Sequence, residues 1–340
     1  MMVGGDMSNI KDIAKKVNVS ISTVSRVINN KSYVKDEVRD KVLAAAEELN
    51  YTQNQLARGL KNKESKTIGL IIPDISDEFF TEVIKGIDKT LTDYGYSAIL
   101  CITNENPERE NMYLDILMKN QVDGIILATV NKESAILNNL INKEFPLIFI
   151  DNLPKTNKNI NSVILDNSKA SYLAIEYLIK QGHIKIAGIM GKQDETTGFE
   201  RYTGFKKAFY DYKVELDKTI VEFGDFKEAS GYAAMTSLLA KHPDITAVYC
   251  ASSQMTYGAI KGIKAFGKTI PKDISVIGFD IHDKFNLLNP AITTIKQPEE
   301  QIGIMSVEFL LNSLKKSSKN FFHKIVLDPE LLILDSCRKI

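Results

Sequence analysis

Long apolar runs are absent from this sequence. Although 44% of its residues are hydrophobic, no stretch approaches the roughly 18 consecutive apolar residues that a membrane-spanning helix requires. The opening residues, MMVGGDMSNIKD, also lack the basic start and the apolar segment of a secretion signal. Met7 is a candidate translation start, with residues 1–6 as a disordered leader. We therefore expect neither membrane insertion nor export.

Cysteine is scarce as well. The three cysteines, Cys101, Cys250 and Cys337, lie far apart in the sequence and show no metal-ligand spacing. Isolated cysteines of this kind are typical of reduced, mostly buried thiols. This pattern indicates a cytoplasmic protein without a disulfide framework.

The sequence also lacks the motifs of the common enzyme classes. It has no GxxxxGK(S/T) phosphate loop, no GxGxxG dinucleotide loop and no paired metal ligands. Its histidines form no nucleophile constellation. They are His183, His242, His282 and His323. We therefore expect a protein that is not an enzyme, with no catalytic residue, no metal and no cofactor.

The sequence has no overall excess of positive or negative charge, because 43 Lys and Arg balance 43 Asp and Glu. The distribution is nevertheless uneven, since residues 8–63 hold 11 basic and 6 acidic residues, a net charge of +5. A basic N-terminal end on a slightly acidic body suits contact with phosphate groups. The charge supports nucleic acid binding only in combination with a motif.

Such a motif lies at Ile10 to Asn30, which read IKDIAKKVNVSISTVSRVINN. Two apolar sets recur here at helical spacing, and Asn18-Val19-Ser20 separates them. Ser20 or Ser22 is placed to cap the second helix. Two short helices across a tight turn predict a helix-turn-helix, whose second helix lies in a DNA major groove. An ordinary antiparallel helix pair is the alternative on periodicity alone.

The second helix leaves polar residues off its apolar face. Ser and Thr can reach base edges or phosphates, and Arg26 can pair with guanine through two hydrogen bonds. The candidate major-groove contacts are Ile21, Ser22, Thr23, Arg26 and Asn29. A third apolar helix, predicted over Lys35 to Asn50, would complete a small three-helix head.

From Thr67 onward the pattern changes to alternating strands and helices, which predicts two doubly wound parallel sheets with helices on both faces. Ligands of such sheets bind beyond the carboxyl ends of the strands, so two lobes facing each other would form a cleft for a small molecule. The predicted strands are Thr67–Ile72, Ala98–Thr103, Gly124–Val130, Pro146–Ile150, Val163–Leu165, Lys185–Met190, Ile220–Phe223, Ala247–Cys250 and Ile274–Phe279.

Several long motifs in order carry a resemblance over nearly the whole chain. They are IKDIAKKVNVSISTVSRVIN, VRDKVLAAAEELNY, NQLARGL, PDISDEFF, IGFD and TTIKQP. The sequence closely resembles the LacI/GalR family of bacterial transcriptional regulators. The resemblance implies an N-terminal all-α helix-turn-helix head and an α/β two-lobed body like the periplasmic sugar-binding proteins.

The expected domains follow from the resemblance and the pattern together. The head covers residues 8–52, a hinge helix and linker cover 53–66, and the effector-binding and dimerisation body covers 67–340. The N-terminal lobe is expected at about 67–163 and 297–323, and the C-terminal lobe at about 164–294 and 325–340.

The segment Asn54 to Leu60 matches the hinge helix of the resembled family, which enters the minor groove beside its partner-subunit copy. The resemblance makes Leu60 the wedge between base steps, Ala57 the close helix contact and Arg58 a phosphate contact. A seven-residue helix is far shorter than the roughly 12–15 residues needed for stability in water, so it would fold only on DNA. Gln53 replaces the proline usual in the family, and a plain linker is the alternative.

The candidate effector contacts come partly from their places after strands and partly from the resemblance. They are Asp74, Phe79, Phe80, Asp151, Thr197, Arg201, Phe226, Ser252 and Asp280. Core packing is the alternative for the two phenylalanines Phe79 and Phe80, capping of the crossover for Asp151, and a surface ion pair for Arg201. The resemblance assigns Phe226 to stacking on the effector.

The expected function is a DNA-binding regulator, in the repressor direction, that acts as a homodimer on a pseudo-palindromic double-stranded operator. Its effector is expected to be a sugar or sugar phosphate acting as inducer. A purine- or nucleoside-responsive corepressed regulator is the second hypothesis, and a solute-binding protein without DNA binding is the third. Ser252-Ser253-Gln254 lacks the acid that relatives carry there, and Glu195 replaces a basic residue of a purine-responsive relative. The residues therefore leave the effector open.

Overall fold

The computed structural model describes residues 9–29, 34–49, 51, 64–283, 287–315 and 323–340. The chain divides into two compact units, Met1–Ser65 and Lys66–Ile340. The predicted hinge residues Ala57, Arg58 and Leu60 lie outside the described residues, as do residues 1–6. Among the helices that are described, none combines the length and the apolar character needed to cross a membrane.

The first unit is a three-helix head. Its helices are α1 (Ile10–Val17), α2 (Ile21–Ile28) and α3 (Asp36–Glu48). Asn9 and Asp12 form a reciprocal capping box on α1, and Ser20, one of the two predicted caps, accepts a hydrogen bond from the Thr23 amide at the start of α2. Ile13, Val24 and Val42, one from each helix, are fully buried together. The predicted helix-turn-helix is confirmed.

The N-terminal lobe of the second unit is a six-stranded, wholly parallel sheet with strand order β11-β5-β4-β3-β1-β2. Its strands are β1 (Thr67–Ile72), β2 (Ser97–Ile102), β3 (Gly124–Leu127), β4 (Leu147–Ile150), β5 (Asn161–Leu165) and β11 (Lys324–Leu327). Its helices are α4 (Glu78–Asp93), α5 (Pro107–Lys119), α6 (Ala135–Asn142) and α11 (Glu299–Leu314).

The C-terminal lobe is a second six-stranded sheet with order β12-β10-β9-β8-β6-β7. Its strands are β6 (Ile186–Met190), β7 (Val221–Phe223), β8 (Ala247–Cys250), β9 (Ser275–Phe279), β10 (Thr293–Lys296) and β12 (Glu330–Leu332). Its helices are α7 (Asn167–Lys180), α8 (Thr196–Asp211), α9 (Glu228–Lys241) and α10 (Ser253–Ala265). The strands are parallel except β12, which runs antiparallel to β10 at the edge.

The central strands of both sheets are buried on both faces, which explains why they read as continuous apolar runs. Glycines let paired helices come close together on one face of the N-terminal lobe. A Cβ on Gly86 of α4 would overlap the Glu300 carbonyl of α11, and one on Gly303 would overlap the Val83 carbonyl. The two helices therefore pack backbone to backbone.

Three sequence predictions need correction. The first part of the N-terminal lobe extends to Leu165 and not to residue 163, because β5 pairs with β4 in the first sheet. β11 pairs with β5, so Lys324–Leu327 belong to the N-terminal lobe, and the chain returns to the C-terminal lobe only after Leu327, not at residue 325. The second sheet is not wholly parallel, because β12 pairs antiparallel with β10. Strands β10, β11 and β12 were also not predicted, since they are short edge or near-edge strands with mixed polarity.

Candidate functional site

A cavity of about 150 Å³ lies between the carboxyl ends of the two sheets. All nine candidate effector residues line it, so the two lobes bring together residues that are distant from one another in the sequence. This is the place where doubly wound sheets bind ligands. The cleft is therefore the candidate effector site.

Three of the nine candidate effector residues have left-handed backbones. Asp151 directly follows β4 with φ 58°, Asp280 directly follows β9 with φ 50°, and Phe226 follows β7 with φ 68°. Residues other than glycine seldom adopt this conformation, and it clusters at ligand sites where the surroundings hold it in place. Gly191 makes room for the Phe226 ring, because a Cβ there would overlap the ring. The cleft wall is thus shaped by backbone as well as by side chains.

Arg201 of α8 lies at the base of the cavity with only 6% of its surface exposed. Its Nε donates to Asn167 Oδ1 at 2.8 Å and its Nη1 to the Ala251 carbonyl at 2.6 Å, while the guanidinium lies 3.6 Å above the Phe279 ring. Among the described residues, Nη2 has no hydrogen-bond acceptor. Burial excludes the surface ion pair, and the fixed orientation leaves one nitrogen for a ligand.

Asp280 faces the same space and is also 6% exposed. The backbone amide of Gln297 donates to its Oδ1 at 3.0 Å, and the Gln297 side chain donates to its Oδ2 at 2.6 Å. Burial and the neighbouring Glu299 raise the pKa of Asp280, although the two hydrogen bonds from Gln297 oppose the shift. The carboxyl group is therefore held in one orientation and keeps lone pairs for ligand hydroxyl groups.

Asp151 and Asp77 add two half-buried carboxyl groups to the cleft. Burial raises the pKa of Asp151 to about 7. The positive charge of Arg201 lowers this pKa, whereas the negative charges of Glu195 and Asp77 raise it further. Asp151 caps no helix of the described structure, and Asn152 Nδ2 donates to its Oδ2 at 3.2 Å. Burial also raises the pKa of Asp77, which caps α4 by accepting from the Phe79 amide.

The two candidate phenylalanines satisfy both interpretations offered by the sequence. Phe79 and Phe80 are each 5% exposed and pack in the core of the N-terminal lobe, and both also line the cavity. Their rings meet edge to face with centroids 4.9 Å apart. They form a rigid apolar wall, opposite the polar base made by Arg201 and Asp280.

Three other candidates line the cavity but already have protein partners. Asp74 accepts from the amide and hydroxyl of Ser76, Thr197 Oγ1 donates to Asn152 Oδ1 at 3.1 Å, and Ser252 caps α10 by accepting from the Met255 amide. They shape the site more than they offer free hydrogen-bonding groups.

Sequence reasoning missed several lining residues. Asp77, Glu105, Asn152, Lys227 and Gln297 all contribute to the cavity. Their positions in the sequence could have identified them, since each follows a strand, and Asp77 and Gln297 lie within the motifs PDISDEFF and TTIKQP. Asn152 joins the lobes, because its Oδ1 accepts from Thr196 Oγ1 and from Thr197 N, both at 3.1 Å.

The front of the cleft carries a chain of alternating charges. Lys227 lies 2.6 Å from Glu105 Oε1 and 3.4 Å from Asp74 Oδ2, and Lys192 lies 2.9 Å from Glu105 Oε2 and 3.2 Å from Glu195 Oε1. Both lysines belong to the C-terminal lobe, whereas Glu105 and Asp74 belong to the N-terminal lobe. Lys192 and Lys227, the two positive charges of this charge chain, therefore already have acidic partners.

The head offers a second candidate site on α2. Ile21 is 47% exposed, Ser22 and Arg26 are exposed, and Thr23 is half-buried. Ser22 and Thr23 hydroxyls lie 2.7 and 2.8 Å from Ser20 Oγ, at the N-terminus of the helix. Asn29, half-buried at the end of α2, donates from Nδ2 to the Ser25 carbonyl at 2.7 Å. Ser22, Arg26 and Asn29 share one helical face at i, i+4 and i+7, as groove reading requires.

A helix-turn-helix head on a two-lobed α/β body with a central cleft defines a DNA-binding regulator controlled by a small molecule. Two family models match the chain. One, bacterial regulatory proteins of the lacI family, covers residues 9–54, and the other, periplasmic binding proteins and sugar binding domain of LacI family, covers residues 65–323. The chain belongs to the LacI family, as the sequence motifs predicted. It is a transcriptional repressor that binds DNA, not an enzyme.

Relatives and solved structures agree with this assignment. The ribose operon repressor of Halalkalibacterium halodurans is 38% identical, over 91% of each chain. The PurR repressor of Histophilus somni strain 129Pt is 35% identical, over 98% of this chain and 100% of its own. The lac repressor dimer bound to operator and the anti-inducer ONPF superposes with a TM-score of 0.86, at 28% identity and 98% and 100% coverage. A LacI family regulator from Enterococcus faecium with bound ribose gives 0.71, at 29% identity and 81% and 99% coverage.

Proposed function

We propose that the chain is a cytoplasmic, homodimeric repressor whose cleft binds one uncharged monosaccharide, and that this sugar releases it from a pseudo-palindromic operator. The observation that carries the sugar assignment is the chemistry of the cavity. The buried Arg201 and Asp280 form its base together with half-buried carboxyl groups, and phenylalanine rings form its wall. Hydroxyl groups suit the polar side, and the apolar face of a sugar ring suits the aromatic side.

The size of the cavity supports a single sugar ring. Drug-sized ligands occupy pockets of roughly 300–1,000 Å³, whereas this cavity measures about 150 Å³. An uncharged pentose such as ribose is therefore our first candidate. The ribose operon repressor among the relatives and the ribose-bound regulator among the structures favour the same choice.

The charges disfavour the sugar phosphate that the sequence left open. Six carboxyl side chains and two basic side chains line the cavity. They are Asp74, Asp77, Glu105, Asp151, Glu195 and Asp280, against Arg201 and Lys227. Lys227 is already paired with Glu105, so a phosphate would meet acids and no unpaired lysine.

We assign the DNA contacts to the head and to the predicted hinge. We propose that Ile21, Ser22, Thr23, Arg26 and Asn29 read the major groove, with Ala57, Arg58 and Leu60 of the predicted hinge in the minor groove.

A purine base is the second candidate effector, favoured by the relationship to a PurR repressor and by the aromatic wall.

Calorimetry with D-ribose, D-ribose 5-phosphate, hypoxanthine and guanine tests the proposal, alongside a gel shift on DNA from upstream of the chain's own gene. We expect D-ribose to bind, its phosphate ester to bind at least tenfold more weakly, and ribose to release the DNA. Tight binding of a base, or a shift that needs a base, would replace the sugar assignment with the corepressor hypothesis. An absent specific shift would contradict the operator assignment.

A further inference from the structure

The loop after β2 holds Glu105 in a fixed position. Asn104 and Glu105 both have left-handed backbones, with φ 51° and 57°. The Thr103 amide is bonded to the Ile72 carbonyl at 2.9 Å, and Asn106 caps α5 through the amides of Glu108 and Arg109. A loop fixed at both ends in this way presents Glu105 at the cleft mouth with little freedom to move.

Glu105 contacts the opposite lobe through both carboxylate oxygens. Oε1 binds Lys227, which follows β7, and Oε2 binds Lys192, which follows β6. Partial burial would raise the pKa of Glu105, but hydrogen bonds from Lys227 and Lys192 outweigh it and keep the pKa below its usual value. The side chain of Glu105 is 28% exposed, and those of Lys192 and Lys227 are 31% and 44% exposed, so solvent screens these pairs only in part.

These pairs can exist only while the two lobes face each other closely. Three ion pairs of the charge chain cross from one lobe to the other, and two of them use Glu105. We propose that Glu105 is a positioning residue of the effector site, which holds the C-terminal lobe against the N-terminal lobe and so stabilises the closed cleft around the effector. This inference rests on the proposed function only in placing the effector in the cleft.

The ion pairs of Glu105 affect effector binding by changing the fraction of molecules in the closed state. Apparent affinity falls in proportion to the fraction of molecules in the binding-competent, closed state. Ion pairs as exposed as these stabilise the closed state only modestly. Losing both pairs of Glu105 should therefore weaken effector binding about tenfold, which corresponds to about 1.4 kcal/mol. Because the contribution is electrostatic, effector affinity should also depend on salt through Glu105.

The test compares Glu105→Gln with Glu108→Gln, an exposed glutamate three residues away that makes no ion pair in the described structure. Calorimetry with D-ribose at low and high salt should show about tenfold weaker binding and a flatter salt dependence for Glu105→Gln only. In a double-mutant cycle, Lys192→Met should weaken the Glu105→Gln variant less than it weakens the wild type. Wild-type affinity and salt dependence in Glu105→Gln, or strict additivity, would overturn the inference.

A readout without ligand keeps this inference separate from the sugar assignment. Energy transfer between one dye on each lobe of the full chain should report a larger separation in Glu105→Gln than in Glu108→Gln, with added salt moving the wild type in the same direction. If wild-type protein fails to bind D-ribose, the sugar proposal fails while this measurement still decides the role of Glu105. Equal separations in both variants would contradict that role.

Discussion

Asp151 is a half-buried carboxyl group in the lining of the cleft. Its pKa lies at about 7, above the usual value of 3.8, because burial penalises the charged form. A raised carboxyl pKa means that the folded chain binds more protons than the unfolded chain between these two values. The free energy of unfolding therefore falls as pH rises from about 4 to about 7 on account of this group.

Asp151→Asn should accordingly stabilise the effector-free protein at pH 8, by up to about 4 kcal/mol, and change it little at pH 4. At the same time the variant should lose the rise in effector affinity that we expect between pH 6 and pH 8 as Asp151 ionises. Thermal denaturation and calorimetry across that range measure both. An unchanged melting temperature at pH 8 would show that Asp151 is solvated in the free protein.

Asp280→Asn tests the most constrained side chain of the cleft. Two donors of Gln297 face the carboxyl group, so an amide nitrogen turned toward either of them leaves that donor without an acceptor. We expect effector affinity to fall about 10- to 150-fold, for a charge-assisted hydrogen bond of about 1.5–3 kcal/mol. Asp335→Asn, at an exposed position, is the control. Equal affinities in the two variants would place the effector elsewhere.

The sequence predicted which residues line the candidate cleft but not the contacts that hold their side chains in place. Asp280 was named because it directly follows a strand and matches the family motif, whereas Arg201 was named through the resemblance alone. Gln297 and Asn152 were missed, since their importance depends on partners far away in the sequence. The left-handed backbones of Asp151, Phe226 and Asp280 leave no mark in residue type either, because none of the three is glycine.

Two residues of the α2 region are expected to have different roles: Ser20 stabilises the helix, and Arg26 contacts the operator. Ser20→Ala removes the N-cap and should destabilise the head by about 1 kcal/mol. Arg26→Ala, on the exposed face, should leave stability unchanged while costing about 1–3 kcal/mol of operator binding and relaxing preference at one base position. Thermal unfolding and gel shifts with substituted operators distinguish the two effects. If Arg26→Ala weakens all sequences equally, Arg26 contacts phosphate instead of a base.

The helix pair α4 and α11 sets a limit on side-chain size in the N-terminal lobe. Gly86→Ala places a methyl group against the Glu300 carbonyl, where backbone must move to make room. We expect a loss of about 1–3 kcal/mol of stability, as for other overpacked cores. Chemical denaturation measures it, and Asp88→Ala, at an exposed position on the same helix, is the control substitution. Equal stabilities of the two variants would mean that the helices separate at little cost.

Elements with one strong pattern were predicted well, and elements without one were not. β1 and β8 match the predicted bounds because both are largely apolar runs with clear ends: β1 lies between Lys66 and Pro73, and β8 lies between Thr246 and Ala251-Ser252. β11 alternates between exposed and half-buried residues and β12 has three residues, so their place depends on pairing with β5 and β10. Pairing between strands distant in the chain is a tertiary effect, and local sequence carries little information about it.

The C-terminal lobe depends on residues 328–340. Ser336 Oγ donates to the Val276 carbonyl at 2.6 Å and accepts from the Thr293 amide, and the buried His183 lies 3.0 Å from the Arg338 carbonyl through Nε2. Truncation after Leu327 should therefore unfold the C-terminal lobe, whereas removal of Lys339 and Ile340 alone should lower the melting temperature only slightly. Circular dichroism on both truncated chains is the check. A chain truncated after Leu327 that still unfolds cooperatively would show that β12 is dispensable.

The passage of the chain between lobes after Leu327 has a consequence for synthesis in the cell. Each lobe is assembled from early and late parts of the sequence, and the described chain crosses from one lobe to the other at 165–167, 296–299 and 327–330. While residues 324–332 are still inside the ribosome, neither sheet has its full set of strands. The head, by contrast, is complete as soon as it emerges. A nascent chain would thus acquire its helix-turn-helix long before its effector cleft is complete, and only the emergence of residues 324–332 would bring the two under common control.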